Sequence, residues 1–325
     1  MGNSQTTTVA VVGATSHIAK GLIYHFCKNS SYTLYLFARS PKQVKAFLKT
    51  IACADSAVSV SGLSDFKAGK YDIIINCIGI GQPKRLDEDM PLLFRLTETY
   101  DNAILDYLEA HPDTLYINMS SGAVYGTDFL NPVSEETSAC IDVNSLVQKD
   151  FYMITKIYSE AKHRALPGFN IVDIRIFAYF SRFINLESGY FIADIISCVK
   201  KGTTFVTGPG SMARDYIHPR DLFSFIERCL KIHRINSAFD LYSLKPATKF
   251  EILDFFKKAY GLDYVIDDKL DFPTATGNKK DYYSLSRRAG AIGYYPGFTS
   301  LDGIMEESRM ILGDMFTVNK GAQRT

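Results

Sequence analysis

A serine at the end of an apolar run, then a tyrosine and a lysine four residues apart, carry the clearest chemical potential in this chain. Ser121 ends the run TLYINMSS, and Tyr152 and Lys156 stand in YMITK, further along in a helical stretch. Spacing of four puts phenol and ammonium on one helix face, one turn apart. A phenol titrating near ~10 is a poor base at neutral pH, and a neighbouring cation favours its ionised form. Lys156 supplies that cation, so Tyr152 is suited to exchange a proton with a substrate oxygen while Ser121 hydrogen-bonds and fixes the same oxygen. Taken singly, YxxxK is also the outer face of many amphipathic helices and SSGAVYG an ordinary turn. Their order along the chain is what gives them chemical meaning.

The redox partner is suggested further upstream. The segment TVAVVGATSHIAKGLIYHF runs from an apolar strand through Gly13 into a helix. Glycine permits the sharp turn, and the free N–H groups of the helix N-terminus can hold a pyrophosphate. The three fingerprint positions carry Gly13, Ser16 and Ala19: Ser16 offers a hydroxyl for phosphate, and Ala19 still allows close helix packing. At the end of the second strand, TLYLFARSPK, Ala38 stands where a carboxylate would grip ribose hydroxyls, followed by Arg39, Ser40 and Lys42. Arg39 can pair with a 2′-phosphate that a carboxylate would repel. This favours NADP(H) over NAD(H), the plainer alternative being that Arg39 is a solvated loop charge.

These pieces need a scaffold, and the patterning supplies one. Apolar runs at 8–12, 33–37, 71–78, 115–120 and 170–177 alternate with amphipathic stretches at 18–28, 41–50, 92–110 and 150–166. Continuous apolar strands between helices predict an α/β fold, a Rossmann-like doubly wound parallel sheet covered on both faces. After about residue 180 aromatic segments and Gly-Pro turns replace the alternation. The division expected is a dinucleotide-binding domain over 1–178, with 203–232 returning to it, and a smaller substrate-binding lobe over 179–325. The ends, 1–7 and 318–325, are expected to be loose.

Composition narrows the partners. With 36 Lys and Arg against 35 Asp and Glu there is no basic field for a nucleic acid, so an anionic ligand must be met by local cations. No apolar run reaches membrane-spanning length, and the first residues lack the pattern of a secretory signal, which together predict a cytoplasmic protein. Six cysteines form no CxxC pair, and they read as free, buried thiols of a reducing compartment rather than disulfides or metal ligands.

With GATSHIA, SSGAVYG and YMITK in this order, and with RDYIHPRDL at 214–222 and KKDYYSLSRRAGAIGYYP at 279–296, the chain resembles the extended short-chain dehydrogenase/reductase family over roughly residues 9–296. The relevant branch holds nucleotide-sugar epimerases, dehydratases and reductases. The resemblance implies Ser121, Tyr152 and Lys156 as the catalytic set. It implies Gly13, Thr15, Ser16, His17 and Ile18 along the cofactor diphosphate, and Arg39 and Ser40 at its adenosine end. Leu63, Ile78, Gly79, Ile80 and Ser120 are further implied cofactor contacts, besides Tyr152 and Lys156. Ser121, Tyr125, Phe180, Arg214 and Lys280 (or its neighbour Lys279) are implied for the nucleotide-sugar substrate, Arg214 at the diphosphate. The alternative for Arg214 is an internal ion pair with Asp215 or Asp221. No metal is implied, and a homodimer through the helices at 92–110 and 150–166 is.

The chain also departs from the family pattern. Ala178 replaces an asparagine that usually meets substrate, and Phe180, Ser181 and Arg182 replace Tyr-Gly-Pro. Dehydratases of the family carry Asp-Glu after the catalytic hydroxyl residue; here Gly122 and Ala123 provide no acid or base, which disfavours dehydration. The resulting expectation is NADPH-dependent reduction of a keto group on a nucleotide sugar, of 4-keto-6-deoxy type. The alternatives are 4-epimerisation, a non-catalytic NADP-sensing regulator, and reduction of a small non-nucleotide carbonyl.

Overall fold

The computed structural model describes residues 6–53, 57–80, 90–270 and 279–314. The expected loose ends lie outside these, apart from Thr6 and Thr7. In chain order the sheet strands are β1 (Thr7–Val12), β2 (Tyr32–Ala38), β3 (Val58–Gly62), β4 (Ile73–Asn76), β5 (Leu115–Ser121) and β6 (Ile171–Ile176). Four short strands follow, β7 (Ala178–Tyr179), β8 (Phe205–Thr207), β9 (Ala213–Arg214) and β10 (Tyr216–Ile217). Then come β11 (Asn236–Asp240), β12 (Ala247–Thr248), β13 (Tyr264–Ile266) and β14 (Asp281–Tyr282). The helices are α1 (His17–Phe26), α2 (Pro41–Thr50), α3 (Met90–Ala110), α4 (Gln148–Arg164), α5 (Phe191–Lys201), α6 (Pro219–Cys229), α7 (Lys249–Tyr260) and α8 (Ser300–Leu312).

Among the described residues, seven strands form one parallel sheet in the order β11-β6-β5-β4-β1-β2-β3. Strand periodicity of two explains the two-sided core. Val9 and Val11 of β1 pack with Leu22, Ile23 and Phe26 of α1 and Phe225 of α6, whereas Ala10 and Val12 pack with Ile104 and Leu108 of α3 on the other face. The strand order reverses at β1, which has β2 on one side and β4 on the other. That switch point opens a crevice at the C-terminal strand ends, where α/β sheets take ligands.

A second core built from Phe180, Ile192, Ile196, Leu253, Phe256 and Ile304 forms the lobe over that edge. Phe205–Thr207 pairs with Tyr264–Ile266 in this lobe, so the chain returns to the sheet at α6 and β11 rather than from residue 203. The reading of all six cysteines as free thiols fails for two of them: Cys27 and Cys53 form a disulfide. Cys27 caps the C-terminus of α1, and Cys53 follows α2, so two helices lying side by side bring together thiols that no spacing rule pairs. Cys77 and Cys229 are buried thiols, while Cys140 is exposed. Among the described residues no helix is long and apolar enough to cross a membrane.

A buried polar cluster joins α3, α4 and β6. His163, fully buried, meets Asp101 through Nε2 and Asp173 through Nδ1, each at 2.9 Å. Burial alone would lower the imidazole pKa, but hydrogen bonds and charge from both carboxylates overcome it and raise it to about 9. Because the folded value lies above the unfolded one of about 6.5, this contribution is fully present below pH ~6.5 and is lost as pH rises through about 9. The urea midpoint of the protein should therefore fall between pH 6.5 and 9. His163→Gln should be less stable at pH 6.5 and should flatten that part of the profile.

Candidate active site

Gly13 ends β1 with φ +83°, a left-handed conformation that favours glycine. A Cβ there would lie 2.9 Å from the backbone of Cys77 and Ile78, so β4 also passes too close for any side chain. The chain turns directly into α1, whose N-cap is Ser16. Its hydroxyl accepts from the Ala19 amide, so it is already engaged in the cap. The amides of His17 and Ile18 lie in the first turn, outside the helical ladder, and no acidic residue stands there to repel an anion. The His17 ring turns toward Ser181 and Tyr179, and burial lowers its pKa to about 4, which keeps it neutral. Thr15 lines a cavity of about 390 Å³ between α1 and α2. Ile80 is buried and Gly79 lies in open space.

On the opposite side of the switch point, β5 ends in Ser120 and Ser121, whose side chains leave opposite faces of the strand. The Ser120 hydroxyl donates to Glu160 at 2.6 Å. Ser121 caps the 3-10 turn Gly122–Tyr125 by accepting from the Ala123 amide at 3.2 Å, and its oxygen lies 3.0 Å from the Tyr282 hydroxyl. Lys156 is buried and donates to the Met119 carbonyl at 2.9 Å, with its ammonium 5.7 Å from the Tyr152 ring centre. Tyr152 packs against Ile80 and Leu93 and interacts electrostatically with both Tyr190 and Tyr282. One space thus gathers Ser121, Tyr152 and Lys156 with Tyr282, a residue for which sequence reading assigned no role.

Above this space are two cations. Arg214 donates to the carbonyls of Ala213 and Lys280, and its guanidinium sits 5.7 Å from the Tyr282 ring centre. Among the described residues it makes no ion pair. Asp215 accepts instead from Ser243 and Ser300, and Asp221 from the amides of Gly297 and Phe298. The Lys279 ammonium lies 4.2 Å from the Tyr282 ring centre, and burial together with Arg214 lowers its pKa to about 7. Neither cation makes an ion pair among the described residues, although the charge of Asp281 reaches Arg214; two desolvated cations so placed can receive an anion.

The other expected residues have these surroundings. The Ser120 hydroxyl is engaged by Glu160. The Tyr125 hydroxyl donates to Asp240 at 2.9 Å and accepts from Arg175 at 2.8 Å. Phe180 is buried in the core of the second lobe. Lys280 is exposed, and its neighbour Lys279 is the inward cation. Leu63 opens a short 3-10 turn beside β3 and packs on the core. Ile78 is partly buried with its amide on Asn76. Arg39 is exposed at the end of β2, and Ser40 is the N-cap residue of α2 with no side-chain cap bond. His218, Glu306 and Glu307 approach closely enough for a cation, but Arg220 and Arg182 already pair with the two carboxylates.

The model of the NAD dependent epimerase/dehydratase family matches residues 9–239. Similar solved structures include a UDP-glucuronic acid 4-epimerase mutant from Bacillus cereus, determined with NAD and a fluorinated UDP-sugar, at 16% identity and TM-score 0.76, covering 94% of this chain and 99% of that one. A UDP-glucose-4-epimerase from Stenotrophomonas maltophila with bound NAD gives 15% identity and TM-score 0.77, covering 94% and 98%. A dTDP-glucose 4,6-dehydratase from Bacillus anthracis with NAD gives 15% and 0.71, covering 94% and 96%. No match was found among curated protein sequences.

The two cations generate a pH signature. A bound diphosphate would restore the proton affinity of Lys279, so binding above pH ~7 must take up a proton. The affinity for an organic diphosphate diester, measured by calorimetry, should be flat below pH 7 and fall by up to about tenfold per pH unit above it. Lys279→Met should bind more weakly at pH 6.5 and lose the slope.

Proposed function

The chain belongs to the NAD dependent epimerase/dehydratase family, and from that premise we propose that it is an NADP(H)-dependent oxidoreductase acting on a hydroxyl or keto carbon of a nucleotide sugar. The observation that carries this reading is the convergence of the Gly13 turn, Ser121 and the Tyr152–Lys156 pair on one crevice, with Arg214 and Lys279 beside it. The residues fit a dinucleotide. The Gly13 turn, Thr15 and the amides of His17 and Ile18 would take its diphosphate, and Arg39 with Ser40 the 2′-phosphate. When bound, the nicotinamide exchanges hydride with the sugar carbon. In the reductive direction Tyr152 gives its proton to the keto oxygen, Lys156 stabilises the phenolate left behind, and Ser121 donates a hydrogen bond to that oxygen. Arg214 and Lys279 hold the sugar diphosphate.

Reduction of a 4-keto sugar is the favoured direction, since Ala38 and Arg39 suit the phosphorylated cofactor. Dehydration has no support: Gly122 and Ala123 supply no acid or base, and a Cβ at 122 would meet the Phe177 ring at 2.4 Å. The second reading, 4-epimerisation, is favoured by the named activity of the two similar 4-epimerases. Exposed Leu92 and Phe94 on α3 and Tyr158 on α4 support a two-fold dimer through those helices.

Incubation with NADPH and a panel of 4-keto-6-deoxy nucleotide sugars should consume NADPH. Interconversion of unmodified nucleotide sugars without net NADPH consumption would replace reduction by epimerisation. Tyr152→Phe should lose roughly a hundredfold or more in kcat while binding cofactor normally. A sensing protein would keep its response in that variant. Arg39→Asp should raise the preference for NADH over NADPH by about tenfold or more, read as the ratio of kcat/KM values, as one lost charge-assisted pair allows.

A further inference from the structure

We propose that Tyr282 is a positioning residue for Ser121, one that fixes the direction in which the serine hydroxyl donates; the proposal rests on the catalytic role given to Ser121 above. A serine hydroxyl has one proton to give and two lone pairs. The Ala123 amide fills one lone pair of Ser121. The Tyr282 oxygen lies 3.0 Å away, and its own proton needs an acceptor. The groups that touch the Tyr282 ring are Phe129 and Phe177, which are aromatic, and Arg214 and Lys279, which are cationic. None of these accepts a proton, the Ala123 amide that also reaches the Tyr282 oxygen is itself a donor, and Tyr152 makes no hydrogen bond to Tyr282 among the described residues; we therefore take Tyr282 as the donor of the pair, filling the second lone pair of Ser121. The Ser121 proton is then the group that remains, and it points into the crevice shared with Tyr152.

The arrangement makes Ser121 an obligatory donor to the reacting oxygen. Without Tyr282 the hydroxyl could rotate and accept instead, losing the interaction that strengthens as negative charge builds on that oxygen. Tyr282 is 4% exposed and clamped by Phe129 at 4.6 Å and Phe177 at 5.1 Å between ring centres, so it holds the serine without moving itself. Burial pushes its own ionisation well above the usual phenol range, which keeps the donating proton in place across the working pH.

The test is a double-mutant cycle with a substrate turned over by the wild type. Tyr282→Phe keeps the packing and removes only the hydroxyl. It should lower kcat roughly ten- to hundredfold, as misdirected catalytic groups do, with KM within about twofold. In the Ser121→Ala background it should cost nothing further. A raised KM at unchanged kcat would make Tyr282 a substrate anchor, and losses that multiply would make it independent of Ser121; either result overturns the proposal. A second measurement needs no turnover. In Ser121→Cys, a donating Tyr282 hydroxyl stabilises the thiolate at position 121, so the pH midpoint of its alkylation by iodoacetamide, followed by peptide mass spectrometry, should rise by about one unit on adding Tyr282→Phe. An unchanged midpoint overturns the proposal even if no substrate has been found. Turnover lost in the wild type with the midpoint shift intact would fault only the assigned reaction.

Discussion

The attachment of α4 to the ends of β5 and β6 is the constraint on which the site depends. Three buried polar contacts make it: Lys156 to the Met119 carbonyl, Ser120 to Glu160, and His163 to Asp173. Lys156, Glu160 and His163 recur at intervals of four and three, so they lie on the inner face of one helix. Each contact would be costly to break in an apolar interior. Their combined effect is to fix the rotation of α4 about its axis. Tyr152, one turn before Lys156, is thereby presented to the crevice and not to solvent.

Much of this scaffold was legible in the sequence because central parallel strands are buried on both faces and read as unbroken apolar runs. The five runs and four helices of the first half fall within a few residues of their observed limits. Within the seven-stranded sheet, the strands that escaped notice, β3 and β11, are its two edges. VSVSG and NSAFD are partly exposed there and lack the apolar density of β1 or β4. Within the site, the order of glycine turn, serine and YxxxK was readable because each piece is local. Tyr282 was not, since its partner is 161 positions away and only the fold brings the two together. The choice between Lys279 and Lys280 likewise required knowing which way a short strand faces.

The charge distribution has the same logic. A formal charge of +1 over the whole chain conceals two cations held in a desolvated place with no ion pair among the described residues. Burial lowers the proton affinity of both Arg214 and Lys279, which means that the empty arrangement is unfavourable to charge and improves when an anion arrives. Of the nearby aspartates, Asp215 and Asp221 are occupied with backbone amides and hydroxyls of the second lobe, which leaves Asp281 as the acidic group whose charge reaches Arg214. The proposed anion site would thus need no basic surface of the kind that attracts a polymer.

Two residues first read as ligand contacts explain how the lobes stay in register. Ser120 bonds Glu160, which pairs with Arg175; Arg175 donates to Tyr125, and Tyr125 donates to Asp240 at the end of β11. Asp240 in turn accepts from Ser284 at 2.5 Å, two residues beyond Tyr282. This chain of charge-assisted bonds begins under one serine of the SSGAVYG motif and ends beside the tyrosine that contacts the other. The motif tyrosine is thereby a link of the scaffold. Because the relay crosses from the sheet to the late segment, a slip of that segment would separate Tyr282 from Ser121 and carry Lys279 away from Arg214 together. The proposed catalytic serine and the two buried cations are thereby tied to one structural register.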